Sequence, residues 1–157
     1  MTMDLTQYQQ PEIIQAALSQ RRIAVVGMSA NHLRASYFVG FYLQRHGYQV
    51  IPVNPRESEI LGQVCYPSVT EIPEPPEVIN VFRDPAAVPG IAEEAVAVGA
   101  KYLWLQFGVI SETGAAIAEA GGVQVIMDRC IKVEHARYRG RMHWLGFNTE
   151  QISAQRA

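Results

Sequence analysis

The chain has 157 residues, of which 48% are hydrophobic, and 13 lysines and arginines against 15 aspartates and glutamates leave a net charge of −2. That length fits one domain with a substantial core, and a charge so close to balance supplies no global field to gather nucleic acid. No apolar window reaches membrane-spanning length, and two cysteines far apart, Cys65 and Cys130, without metal-ligand spacing point away from a disulfide or zinc framework.

The opening Met1-Thr2-Met3-Asp4-Leu5-Thr6-Gln7 has neither the basic nor the apolar stretch of a secretory leader, so the expected location is cytoplasmic. A first helix is expected around Pro11–Ala17, with proline at its first position. Strand one follows at Arg22–Gly27, a short Ile/Val run that ends in glycine. Ser36 is read as the N-cap of a helix through Phe38, Phe41, Tyr42 and Gln44, with Gly47 as its left-handed stop before strand two, Gln49–Val53. Pro52 lies inside that strand and has to sit where no ladder donor is needed.

From Pro55 the chain loops past Pro67, Pro73, Pro75 and Pro76, with one helical turn at Ser68–Ile72. Strand three is Val78–Phe82. Asp84-Pro85 opens a helix in which Val88, Ile91, Ala95 and Val98 recur at helical spacing until Gly99. Strand four is Tyr102–Gln106, Ser111 caps a helix through Ile117 to Ala120 that Gly121-Gly122 closes, and strand five is Val123–Met127. Beyond Asp128 no period is evident. The expected organisation is an N-terminal helical segment at 1–20, one domain at 21–135 and a C-terminal tail at 136–157.

Short Val/Ile-rich strands alternating with helices predict an α/β fold with a parallel sheet. Right-handed crossovers make a single doubly wound, five-stranded parallel sheet in the order 3-2-1-4-5 the most economical topology, with its crevice at the carboxyl ends of strands one and four. The turn Gly27-Met28-Ser29-Ala30-Asn31-His32-Leu33-Arg34-Ala35-Ser36 joins a buried strand to a helix start. There, glycine lets backbone N–H groups approach an anion and the helix dipole favours negative charge. A nucleotide ligand is implied.

An ordinary nicotinamide dinucleotide site needs G-x-G-x-x-G after strand one and an acidic residue closing strand two. Here Ser29 and Arg34 stand in place of further glycines, and strand two ends in Asn54 with Arg56 beyond. An arginine at that point suits a phosphorylated ribose, either the 2′-phosphate of NADP or the 3′-phosphate of coenzyme A. No Walker A lysine motif is present to support P-loop hydrolysis of ATP or GTP.

The residues Ile23-Ala24-Val25-Val26-Gly27-Met28-Ser29, Arg34-Ala35-Ser36-Tyr37, Pro52-Val53-Asn54-Pro55 and Val81-Phe82-Arg83-Asp84-Pro85, with Trp104-Leu105-Gln106-Phe107-Gly108 and Met127-Asp128-Arg129-Cys130-Ile131-Lys132-Val133-Glu134-His135, occur in one order and spacing. In this the chain resembles the small stand-alone coenzyme A-binding proteins related to the Rossmann-like N-terminal domain of succinyl-CoA synthetase alpha chains, over most of Arg21–His135. The resemblance implies coenzyme A or an acyl-CoA as the ligand. Gly27, Met28, Ser29, Arg34, Ser36 and Tyr37 would surround the diphosphate, Val53, Asn54, Pro55 and Arg56 the adenosine end, and Phe82 and Arg83 the adenine or pantetheine arm. Gln106 and Gly108 would contribute from the end of strand four. The synthetase's active histidine has no counterpart here, so binding is implied and ligase activity is not.

The expected role is therefore a carrier, sensor or regulatory module for a small nucleotide ligand, as a homo-oligomer or beside a partner enzyme. The alternative is an NADP-dependent reductase or thioester-processing enzyme. Each site residue also has a plainer use: Arg56 could pair with Glu57 or Glu59, Arg83 with Asp84, and Phe82 could be core. Cys130 is read as a structural thiol, with a mixed disulfide to the coenzyme from Cys130 or Cys65 left open. No metal is expected from Cys130, His135 and His143, whose spacing is wrong for zinc. The tail Arg137–Trp144 interleaves arginines with aromatics as nucleic-acid surfaces do, and is read instead as a solvated segment packing its rings on the domain or on a second subunit.

Overall fold

A computed structural model describes residues 4–139. Five parallel strands, β1 (Arg22–Val26), β2 (Gln49–Val53), β5 (Val78–Val81), β6 (Tyr102–Leu105) and β7 (Gln124–Ile126), form one sheet in the order β2-β1-β5-β6-β7. A small antiparallel hairpin, β3 (Glu59–Ile60) with β4 (Gln63–Val64), lies between β2 and β5 in the chain. Among the described residues the α-helices are α1 (Pro11–Leu18), α2 (Ala35–Arg45), α3 (Val88–Val98), α4 (Glu112–Ala120) and α5 (Ile131–Arg139).

Alternation along the strands sorts the core into two layers, since successive side chains take opposite faces. Ala24, Val26, Ile79, Val81, Leu103 and Leu105 face α3 and α4, which contribute Val88, Ile91, Ala92, Ala115 and Ala118. Ile23, Val25, Val78, Trp104 and Ile126 face α1, α2 and α5, which contribute Leu18, Val39, Leu43 and Ile131. Both faces are covered, as a parallel sheet requires.

Local signals act as expected at most element ends. Gly47 at φ +91° follows α2, and the N–H groups of Gly47 and Tyr48 return to the carbonyls of Gln44 and Leu43, the paired closure of a glycine-ended helix. Gly99 closes α3 in the left-handed region, and Ser111 Oγ accepts the Gly114 N–H at 3.0 Å to cap α4.

The α/β class and the five-stranded parallel sheet are as the sequence predicts; the strand order is not. The expected third strand, β5, pairs with β1 on the side away from β2, giving 2-1-3-4-5 in place of 3-2-1-4-5. Pro52 supplies the physical reason. Gln49 donates to Arg21 and Val53 accepts from Gly27 on the β1 side, so Pro52, at the alternate position, turns its donor-less nitrogen to the outer edge, which proline tolerates only on an edge strand. The order in which strands are added to the sheet reverses between β1 and β5, and the topological switch point lies there rather than between strands one and four.

The stretch past Asp128, where the sequence shows no period, forms helix α5. Its buried face is Ile131, Glu134 and His135, so an apolar/polar pattern conceals the helix. The tail residues beyond Arg139, His143 and Trp144 among them, lie outside the described residues.

Candidate functional site

A cleft of about 820 Å³ opens at the carboxyl edge over β2, β1 and β5. Its walls are the turn after β1 (Gly27, Ser29, Ala30 and Arg34–Ser36), the loop after β2 (Asn54–Glu57) and the loop after β5 (Phe82–Asp84). The three loops meet because β1 lies between β2 and β5 in the sheet.

Gly27 allows two of them to touch. Its φ is +83°, and a Cβ there would collide with the Phe82 carbonyl oxygen and stand 2.9 Å from Arg83 Cδ. Only glycine combines that dihedral with that approach. The rest of the turn is braced by short polar side chains: Ser29 Oγ accepts the Asn31 N–H, and Asn31 Oδ1 accepts the Leu33 N–H, each at 2.9 Å.

Ser36 is not the N-cap that the sequence predicts. The helix starts two residues earlier, with Arg34 at its N-cap, and the Ser36 hydroxyl, buried, accepts the Ser29 N–H at 2.9 Å. The N–H groups of Met28, Ala30, Ala35 and Ser36 have no acceptor among the described residues. Three guanidiniums, Arg34, Arg56 and Arg83, share the cleft, and among the described residues none forms an ion pair. The local pairings of Arg56 with Glu57 or Glu59 and of Arg83 with Asp84 are not made. Free donors and unpaired cations around a glycine turn at a helix start have the chemistry to hold a diphosphate.

The remaining site residues fall into two groups. Pro55 and Arg56 line the cleft, and Phe82, half-buried, lines it while packing on the core layer of α1, α2 and α5. Asn54 also lines it, but its amide is engaged within the protein: Nδ2 donates to the Met28 carbonyl at 2.9 Å, and Oδ1 accepts the Arg56 N–H at 2.8 Å. Val53 and the Met28 side chain are core, with Met28 Sδ and Cε filling the space that the missing Cβ of Gly40 leaves on α2. Tyr37 packs against the same layer and stands edge-on to His32, ring centroids 6.5 Å apart.

Gln106 and Gly108 are not cleft walls. With β5 between β1 and β6, the end of β6 lies beyond the crevice. Gln106 is buried there, its Oε1 accepting Asn80 Nδ2 at 3.0 Å and the Ile131 N–H at 2.9 Å, and Gly108 donates to Asp128 Oδ1 at 2.7 Å. Neither cysteine lines the cleft. Cys65 is buried behind it, its Sγ on the Asn54 carbonyl at 3.5 Å, and burial pushes its thiol up from the ordinary value. No group of three or more metal-ligating side chains occurs among the described residues, and none of their helices is long and apolar enough to cross a membrane.

The sequence reading omits four cleft residues: Ala30, Ala35, Glu57 and Asp84. The alanines carry no chemical signal of their own, and the two acids read as surface partners for neighbouring arginines. Spacing alone could have brought in Ala30 and Ala35, which fall inside the turn.

Comparison with known proteins places this geometry in a family. The chain is 42% identical over 125 residues to the Bacillus subtilis protein YneT, covering 80% of this chain and 93% of that one. A hypothetical protein from Pyrococcus horikoshii has the same fold with a TM-score of 0.81 at 34% identity, over 87% of this chain and 97% of that one. The acetate–CoA ligase (ADP-forming) I of Archaeoglobus fulgidus is 27% identical over 119 residues, 69% of this chain but 17% of the ligase. The CoA binding domain family matches residues 21–136, and the chain belongs to that family.

Proposed function

We propose that this protein binds coenzyme A or an acyl-CoA in the cleft over β1, β2 and β5, as a carrier, sensor or regulatory module. The diphosphate would rest on the turn Gly27–Ser36, meeting the free N–H groups of Met28, Ala30, Ala35 and Ser36 and the Arg34 guanidinium. Arg56 would take the 3′-phosphate of the ribose, and Phe82 with the Arg83 stem would cover the adenine or the pantetheine arm. The observation that carries this reading is the convergence of Arg34, Arg56 and Arg83, without an ion-pair partner among the described residues, on one glycine turn. Three cations suit a ligand with three phosphate groups. The absence of an acidic residue at the end of β2 disfavours an unphosphorylated dinucleotide. A cytoplasmic location and association with a second subunit or a partner enzyme belong to the same proposal.

Thermal melting in the presence of CoA, acetyl-CoA, NADP or NAD tests it, because a ligand bound only by the folded state raises the midpoint with concentration. The expected result is a rise with CoA and acetyl-CoA that exceeds any rise with NADP, and none with NAD. Arg34→Ala should then weaken CoA binding about 10-fold or more, the effect of removing one charge-assisted hydrogen bond. A midpoint that responds to NADP alone would overturn the reading. Unchanged affinity in Arg34→Ala would show that the diphosphate lies elsewhere.

A further inference from the structure

We infer that Asn54 is a positioning residue, which sets the discrimination between coenzyme A and its dephosphorylated form by fixing Arg56 against the first turn. The inference rests on the proposed binding of CoA and goes beyond it by assigning the 3′-phosphate preference to a residue that need not touch the ligand.

The argument starts from the hydrogen bonds of Asn54. Its side chain bridges two loops that sheet pairing alone would leave independent: Nδ2 holds the Met28 carbonyl of the turn after β1, and Oδ1 holds the Arg56 N–H of the loop after β2. Its main chain reaches a third segment, with its N–H on the Tyr66 carbonyl at 2.9 Å and its own carbonyl accepting from Cys65 Sγ. The amide is thus anchored on the backbone side and clamped on both ends of its side chain. Holding the N–H two residues ahead is the turn that asparagine forms most readily, and it fixes the backbone direction from which the Arg56 side chain departs. Arg56 is exposed and has no ion-pair partner among the described residues, so no other side-chain charge contact directs it. Without the clamp, a long arginine on an exposed loop would lose rotamer and backbone freedom on meeting a phosphate. With it, part of that ordering precedes binding.

Isothermal titration with CoA and with 3′-dephospho-CoA tests the inference on the unaltered protein and on Asn54→Ala, Asn54→Ser, Arg56→Ala and the double variant Asn54→Ala/Arg56→Ala. The unaltered protein should prefer CoA by about 10-fold or more, the scale of one charge-assisted contact. Arg56→Ala should remove that preference. Asn54→Ala should reduce it about 3- to 10-fold, over and above any weakening that both ligands share through the freed Met28 carbonyl. Asn54→Ser, which keeps an oxygen for the Arg56 N–H, should retain most of it, and loss of the preference in this variant would overturn the inference whether or not the alanine variant folds. In the double variant the alanine at 54 should add nothing to the ratio, since its effect runs through Arg56.

Equal weakening of both ligands by Asn54→Ala, or effects on the ratio that multiply in the double variant, would overturn the inference and leave CoA binding standing. Binding of both ligands with equal affinity by the unaltered protein would remove the Arg56 contact and this inference, with the diphosphate site intact. No binding of either ligand would remove the functional proposal itself.

Discussion

The Ser36 hydroxyl oxygen accepts the N–H of Ser29 at 2.9 Å across seven residues, so the first turn of α2 and the loop that precedes it form one braced unit. The bond leaves the Ser36 proton and the N–H groups on either side free to face the cleft. Ser36→Ala removes the brace without adding bulk. Stability should fall by about 1 kcal/mol, the net worth of one hydrogen bond, as read by urea unfolding. CoA affinity should fall about 3- to 10-fold by calorimetry, and an unchanged affinity would show that the turn holds its shape without the serine.

Gly27→Ala should be far more damaging than a glycine-to-alanine change in a helix. The φ of +83° is strained for any residue with a Cβ, and the new methyl would meet the Phe82 carbonyl and Arg83 Cδ. Strain of about 1–2 kcal/mol from the left-handed conformation and about 1–3 kcal/mol from overpacking add up to a loss of several kcal/mol. Gly47→Ala provides the control, because it shares a positive φ but would meet nothing within 4 Å. The difference between the two in denaturant midpoint measures the close approach alone.

Gln106→Ala distinguishes a core residue from a ligand contact. It strands the Ile131 N–H and Asn80 Nδ2, both of which rely on Gln106 Oε1, and Asn80 Oδ1 already lacks a partner among the described residues. Leaving buried donors unmet costs about 1–3 kcal/mol each. The expected outcome is a loss of about 2–4 kcal/mol in unfolding free energy, with CoA affinity within about 2-fold of the unaltered protein. A large loss of affinity at retained stability would return Gln106 to the site.

His135 makes the fold sensitive to acid. It is buried between α2 and α5, with Nδ1 2.8 Å from the Tyr42 hydroxyl and the rings of His46 and Tyr48 against it. Burial first, then the neighbouring His46 and Arg139, lower its pKa from 6.5 to about 4. Between those values the unfolded chain carries the extra proton, so stability falls as pH drops from 6.5 towards 4 and is insensitive to this group above and below. Glu134 acts in the opposite sense, since burial raises its pKa above the ordinary carboxylate value and favours its protonated form in the folded state. His135 alone accounts for about 2 kcal/mol of lost stability at pH 5 relative to pH 7.5. Denaturant unfolding at the two pH values should show that loss, and His135→Gln should flatten it.

Most of the α/β architecture can be read from local pattern. Glycines at 47 and 99, the Ser111 cap and the apolar spacing of Val88, Ile91 and Ala95 act within a few residues, through backbone dihedrals and the helical period. The turn Gly27–Ser36 belongs to the same class, which is why the position of the cleft is legible in the sequence. Pro52 is the one residue whose local chemistry carried a long-range instruction: a strand without a donor has to lie at the edge, and that excludes strand three from its outer side.

The rest depended on pairing between residues distant in the chain. Placing β5 beside β1 brought Phe82 and Arg83 over Gly27 and put Gln106 two strands away, and apart from Pro52 no local signal distinguishes that order from its alternative. Helix α5 was hidden because tertiary hydrogen bonds and burial, rather than an apolar stripe, hold Glu134 and His135 inside. The clamp from Asn54 to Met28 joins positions 26 residues apart, a contact that exists only once the strands that carry them are neighbours. Dihedral preference and side-chain period are properties of short segments and survive in the bare sequence; sheet order, burial of polar groups and loop-to-loop bonds arise from the free energy of the assembled core.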